Sequence, residues 1–174
     1  ASSGQGLGSN KGPESLTALA PGDLLLAAEA PLLQHQAEDG ISLMRRAPGD
    51  VLRSAGALNV GAAGRHDGLT GLLALPTRQQ LLGLWRGFAP PDQWTARLQL
   101  FALPDPQGPP LQPIIGWDLL ETGLPPDNWE AMALGPVLSD GRQTLVLASD
   151  DNFNPLQSNW IVVLSPRRTT ACTD

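Results

Sequence analysis

Short apolar runs bounded by turn residues recur in a fixed order along the chain. A run at 13–19 leads through Pro21-Gly22 into a second run at 23–29. Runs at 69–75 and 80–85 flank a turn from Pro76, and runs at 129–134 and 144–150 flank Gly135-Pro136 and Asp140-Gly141. Each pair is followed by a polar loop and a third run, at 41–46, 95–103 and 160–164, and the first two units add a fourth at 51–60 and 112–119. Runs this short, closed by Pro-Gly and Asp-Gly, predict antiparallel strands joined by tight turns. Leu and Ala dominate them, although both favour helices over strands. Strands covered on both faces explain that composition, because such strands read as continuous apolar runs, and Ala27, Ala28, Gly83 and Ala148 suit close approach between stacked sheets.

Units of about 55 to 60 residues, each a strand meander, predict an all-β fold of stacked blades. The expected architecture is about three four-stranded antiparallel blades of a β-propeller, with units near 11–58, 59–118 and 119–166. Residues 1–10 are Ser/Gly-rich and predict a flexible lead-in, 167–174 a tail, and the Pro/Gly loop at 104–113 a surface connection. Three blades do not close a ring and leave two blade faces unpaired. The chain is therefore expected to be half of a six-bladed ring, the missing blades coming from the same precursor or from a second chain.

Composition supports the turn-rich reading: 19 Gly and 17 Pro in 174 residues favour many short elements. A formal net charge of −6 argues against nucleic acid as a partner, since phosphate backbones need a basic surface. The adjacent basic pairs, Arg45-Arg46 and Arg167-Arg168, read as solvated surface. Cys172 is the single cysteine and excludes an internal disulfide. No run approaches the roughly 20 apolar residues of a membrane-spanning helix, and residues 1–6 lack the basic and apolar regions of a signal peptide.

The acidic residues carry the candidate chemistry. In an antiparallel pair the start of one strand lies beside the end of the next. Glu14 and Glu29 are thereby expected to meet at one rim, as are Glu130 and the Asp150-Asp151-Asn152 group. These oxygen donors suit calcium, which takes 6–8 oxygen ligands. A structural role is the competing reading: Asp and Asn side chains cap backbone groups in turns, and glutamates at strand starts bond to neighbouring sheets. His35 and His66 lack zinc-ligand spacing. No G-x-S-x-G elbow occurs, and the glycines at 4–8 and 61–64 lack the Gly-Lys-Ser/Thr ending of a phosphate loop. The five Trp are expected to pack, with Trp117 and Trp129 the best placed for recognition.

Several segments resemble the esterase-like phytase family. They are 127–136, running Asp-Asn-Trp-Glu-Ala-Met-Ala-Leu-Gly-Pro, and 145–153, which ends in Ser149-Asp150-Asp151-Asn152-Phe153. Lys11-Gly12-Pro13-Glu14-Ser15-Leu16 and the segment 80–88 are similar as well. Trp85 is the clear departure, standing where the family pattern has Glu, whereas Arg86 is retained. The resemblance implies a propeller-like fold, a periplasmic or extracellular location, and hydrolysis of a phosphoester. In that setting Glu14, Glu29, Glu130, Asp150, Asp151 and Asn152 are the expected metal ligands, and Arg86 the substrate-binding residue, its guanidinium forking onto phosphate oxygens. A bound cation would polarise the phosphoryl group. The alternative is a non-catalytic propeller that scaffolds or binds a partner, with its carboxylates consumed in bonds between blades.

Overall fold

Every apolar run picked out above is a strand. The computed structural model describes residues 6–9, 11–35, 40–60 and 67–167, so His66, Gly61 to Gly64, Arg168 and Cys172 lie outside the described residues. The strands are β1 (Pro13–Ala20), β2 (Asp23–Ala28), β3 (Gly40–Arg46), β4 (Arg53–Asn59), β5 (Gly68–Leu75), β6 (Gln80–Ala89), β7 (Gln93–Ala102), β8 (Ile115–Asp118), β9 (Trp129–Val137), β10 (Gln143–Ser149) and β11 (Ile161–Leu164). They form three antiparallel sheets, ordered β1-β2-β3-β4, β5-β6-β7-β8 and β11-β10-β9. Each is an up-and-down meander, and among the described residues helix is confined to three single 3₁₀ turns. The third sheet has three strands among the described residues, one fewer than the four expected of each unit.

The second sheet is sandwiched between the other two. β5 adjoins β1 on one side and β9 on the other. One apolar cluster joins Leu25, Ala27, Ile41 and Leu43 of the first sheet to Leu69, Leu81, Trp85 and Phe101 of the second. The other joins Leu84, Ala96 and Leu98 to Trp129 and Leu147 of the third. Successive side chains of a strand face opposite ways, so Leu81 and Trp85 of β6 enter the first cluster while Leu84 enters the second. Both faces of β6 are dry, and for this reason its sequence is a continuous apolar run without polar alternation.

Side-chain hydroxyls stitch the sheets at matching places. Ser15 Oγ of β1 donates to the Leu69 carbonyl at 3.3 Å, and Thr70 Oγ1 of β5 donates to the Trp129 carbonyl at 2.8 Å. Both hydroxyls are buried, where an unpaired hydroxyl would be costly. Gly71 lies at the contact with β9, where a Cβ would meet Leu84 and Met132 at ordinary van der Waals distance. Arg45 is not simply solvated: its guanidinium forks onto both carboxylate oxygens of Asp23, at 2.8 and 2.6 Å, and ties β3 to β2.

Among the described residues, nothing covers the apolar side chains on the outward faces of the two flanking sheets. Leu16 is 59% exposed on the first, beside Leu26 and, through it, Met44. On the third, Val146 lies between Ala133 and Val163, and Ala148 between Ala131 and Ile161, with Ile161 77% exposed. No helix among the described residues is long and apolar enough to cross a membrane.

Candidate functional site

The first strands of the three sheets bring their leading residues to one end of the stack. β1 pairs with β2 so that Pro13 faces Ala28, and the ladder is irregular at Glu14. Glu29 follows directly, its N–H donating to the Gly12 carbonyl at 3.0 Å while its own carbonyl accepts from Leu69 N at 2.8 Å. That second bond anchors Glu29 to the beginning of β5. The Glu29 carboxylate is buried against Gly68, where any Cβ would collide with it, and it takes the Lys11 ammonium at 2.8 Å. Gly68 pairs with Arg86 across the β5–β6 ladder. Arg86 Nη2 reaches the Glu130 carboxylate of β9 at 3.2 Å, and the same oxygen accepts from Asn128 Nδ2 at 2.7 Å. The Arg86 Nε–H is buried and has no hydrogen-bond partner among the described residues.

Glu14, Glu29, Arg86 and Glu130 therefore converge from three sheets, with Lys11 beside them. Glu14 registers this electrostatically. Partial burial raises its carboxyl above the usual range, the Glu29 and Glu130 charges add to that, and Arg86 and Lys11 oppose it. A carboxyl that ionises less readily folded than unfolded loses the folded state stability as pH rises through its ordinary range towards the raised value. Glu14→Gln is thus expected to be more stable than the parent in urea unfolding at neutral pH. At pH 3, where Glu14 is neutral in both states, the difference should vanish. Equal stability of the two proteins at neutral pH would refute the assignment.

The Asp-Asp-Asn-Phe block behaves differently. Asp150 stands next to the cluster, its N–H donating to the Asn128 carbonyl at 3.0 Å, but its Oδ1 accepts the Asn152 N–H at 3.3 Å. Asp151 Oδ1 accepts the Phe153 N–H at 2.9 Å, and its Oδ2 accepts Asn159 Nδ2 at 3.0 Å. Asn152 and Phe153 are left-handed, at φ of 49° and 55°, a conformation that favours Asn and disfavours Phe. Here the aspartates cap a turn. Among the described residues, no three His, Cys, Asp or Glu side chains stand together as a metal-holding group.

Sequence reasoning missed the supports of this site. Asp127 and Asn128 are buried, at 4% and 1% exposure. The Asp127 carboxylate accepts from Asn128 N at 2.8 Å, Ser158 N at 3.0 Å and Trp160 Nε1 at 3.1 Å. It holds the 150–160 loop against the start of β9 and presents Asn128 to Glu130. Lys11 was also missed as a partner, although it sits three residues before Glu14. Trp129 is fully buried, its Nε1 donating to the Pro125 carbonyl at 2.9 Å, so it serves packing and not recognition. Trp85 is buried in the first apolar cluster, one residue along the strand from Arg86 and hence on the opposite face.

The molecule is thus an all-β protein with a mixed carboxylate and guanidinium rim at one end of three stacked sheets. The family model described as Phytase-like, with esterase-like activity of phytase, matches residues 1–153, and the chain belongs to that family. A search of curated proteins finds no match.

Proposed function

We propose that this protein is a phosphoester hydrolase of the phytase-like type, its substrate site lying at the end where Glu14, Glu29, Arg86 and Glu130 meet. Membership of the family points to phosphoester chemistry. The observation that carries the location is the Arg86–Glu130 pair, which joins the second and third sheets beside two further glutamates. A guanidinium is suited to phosphate because its donors form a planar fork. Glu130, itself held by Asn128, fixes one arm of that fork.

Three carboxylates against Lys11 and Arg86 leave the rim net negative, which would repel a phosphate. A divalent cation would invert that sign and supply electrophilic polarisation of the phosphoryl oxygen. The proposed ion is calcium, matched to all-oxygen donors. Glu14 is the carboxylate available to it. Glu29 and Glu130 would have to exchange Lys11 and Arg86 for it, and Asp150, Asp151 and Asn152 would have to leave their turn. As arranged, then, the set does not fit the ion, and binding would require rearrangement.

The three sheets are proposed to be consecutive propeller blades. The adjacency of β1, β5 and β9 and the recurring hydroxyl stitches at Ser15 and Thr70 support this. Further blades, from the same precursor or a second chain, would cover the apolar outer faces, and the family's usual setting makes a periplasmic or extracellular location the expected one.

A specific observation favours the second reading, a non-catalytic scaffold: most of the rim carboxylates are already bonded, Glu130 to an arginine of the neighbouring sheet. Hydrolysis of p-nitrophenyl phosphate with calcium and with chelator decides between them. Turnover is the expected result, and turnover that rises with calcium alongside a calorimetric isotherm would show that Glu29 and Glu130 exchange Lys11 and Arg86 for the ion. No turnover in either condition, with the protein folded, leaves the scaffold.

A further inference from the structure

The β6–β7 hairpin extends past the candidate site. β5 begins at Gly68, which pairs with Arg86 of β6. β6 and β7 stay paired for three residues more, through Gly87–Thr95, Phe88–Trp94 and Ala89–Gln93. At about 3.3 Å of rise per residue, the last pair stands roughly 10 Å beyond Arg86. This arm carries two aromatic side chains. The rings of Phe88 and Trp94 lie with centroids 4.5 Å apart, tilted by 42°, and Phe88 is 42% exposed.

Register places the aromatic pair on the same face as the site. The β6–β7 ladder runs without a shift from Gln80–Ala102 to Ala89–Gln93. Leu84, Arg86 and Phe88 therefore share one face of the sheet, with Leu98, Ala96 and Trp94 opposite them. Leu84, Ala96 and Leu98 pack with Trp129 and Leu147 of the third sheet, so this is the face turned to β9. Arg86 accordingly reaches Glu130 of β9 at 3.2 Å. Phe88 is the next residue along β6 on that face, and Trp94 is the diagonal neighbour on β7, at about 7–8 Å, a span that long and aromatic side chains cover. The side chains of Arg86 and Glu130 are 24% and 34% exposed, so solvent reaches the guanidinium as well as the rings.

A guanidinium and an exposed aromatic pair, side by side on one face, suit a ligand with an anionic end and a flat apolar end. Cross-strand aromatic pairs also steady hairpins, but this one stands directly beside the Arg86–Glu130 bridge. Resting on the phosphoester reading above, we propose that Phe88 and Trp94 form the leaving-group platform of the site, and that its preferred substrates are phosphomonoesters of aromatic alcohols. Arg86 takes phosphoryl oxygens through its planar fork, and the ring bonded to the ester oxygen stacks on Phe88 and Trp94. The platform touches that ring before and during reaction alike. It therefore lowers KM for aryl esters and leaves kcat unaltered. Esters of glycerol and other acyclic alcohols present no ring and gain nothing from it.

Steady-state kinetics on phenyl phosphate and glycerol 2-phosphate, with calcium present, test the platform. The parent is compared with Phe88→Leu, which keeps an apolar neighbour for Trp94, and with Phe88→Tyr, which keeps the ring. The expected result is a KM for phenyl phosphate about 3- to 10-fold higher in Phe88→Leu, the scale of one aromatic contact, at unchanged kcat. Phe88→Tyr should stay close to the parent, and glycerol 2-phosphate should be unaffected throughout. Loss on both substrates, or on neither, overturns the proposal. Phenylphosphonate and methylphosphonate, which resist hydrolysis, separate the platform from turnover. Calorimetry should show the phenyl compound bound about 3- to 10-fold more tightly by the parent, and this gap closed in folded Phe88→Leu. The gap without hydrolysis of either ester would retire the hydrolase reading and leave the platform standing. No gap in the parent overturns the platform, and hydrolysis of both esters would then keep the hydrolase reading alone.

Discussion

Replacing Arg86 by methionine is expected to lower kcat/KM on a phosphomonoester by about 100- to 1,000-fold, the range for loss of one preorganised donor to a developing oxyanion. Methionine keeps the unbranched stem that packs at the beginning of β5 and removes the fork. Arg86→Lys retains the charge but not the planar pair of donors, so it should recover only part of the loss. Both variants leave Glu130 its bond to Asn128, which keeps the carboxylate in place. Steady-state kinetics on the parent and both variants checks this. Unchanged kcat/KM in Arg86→Met would move the phosphate contact elsewhere while leaving the hydrolase reading open.

Asp127→Ala should produce the largest loss of stability from a single polar group. The carboxylate is buried and accepts from Ser158 N and Trp160 Nε1, which belong to the loop between β10 and β11, and from Asn128 N. Truncation leaves these donors unpaired, at about 1–3 kcal/mol for each one that water cannot reach, with Asn128 N the most deeply buried of them. A total near 3 kcal/mol is the expectation. Asp127→Asn keeps a side-chain oxygen and should lose clearly less. Urea unfolding of the two variants measures the difference. Equal midpoints for Asp127→Ala and the parent would show that the loop is held by other contacts. The Asp127→Ala variant should also lose hydrolysis, since Asn128 would no longer be fixed beneath Glu130.

The strands were legible because their signals are local. Pro21-Gly22 and Asp140-Gly141 close hairpins whatever surrounds them, and the runs they bound become β1, β2, β9 and β10. The preference of Leu and Ala for helix gave way because β6 is buried on both faces, where packing outweighs intrinsic propensity. The convergence of Glu14 with Glu29 was likewise legible, since the hairpin joining β1 to β2 sets it. So was the proximity of Asp150 to the start of β9, through the pairing of Ser149 with Trp129.

Partner choice was not legible. Whether Glu130 meets a cation or another carboxylate depends on the stacking of β9 against β5 and β6, a contact between residues 44 apart in the case of Arg86. The pairing of Lys11 with Glu29 depends on the carboxylate being pressed over Gly68. The roles of Asp150 and Asp151 also stayed open in one dimension. An Asp-Asp-Asn run serves equally as a ligand set or as a capped turn, and the bonds that Asn159 makes to Asp151 come from eight residues further on.

The amino-acid sequence by itself determined the strand meanders, their turns, the class of the fold and the residues that crowd one rim, because periodicity and turn chemistry act between near neighbours. Tertiary structure alone decided which charges face one another, which distant loop the buried Asp127 holds, and where buried polar atoms are left unpaired. Those outcomes follow from how sheets stack and register, and distances between sheets are set by the packing of whole faces, not by any local pattern of residues.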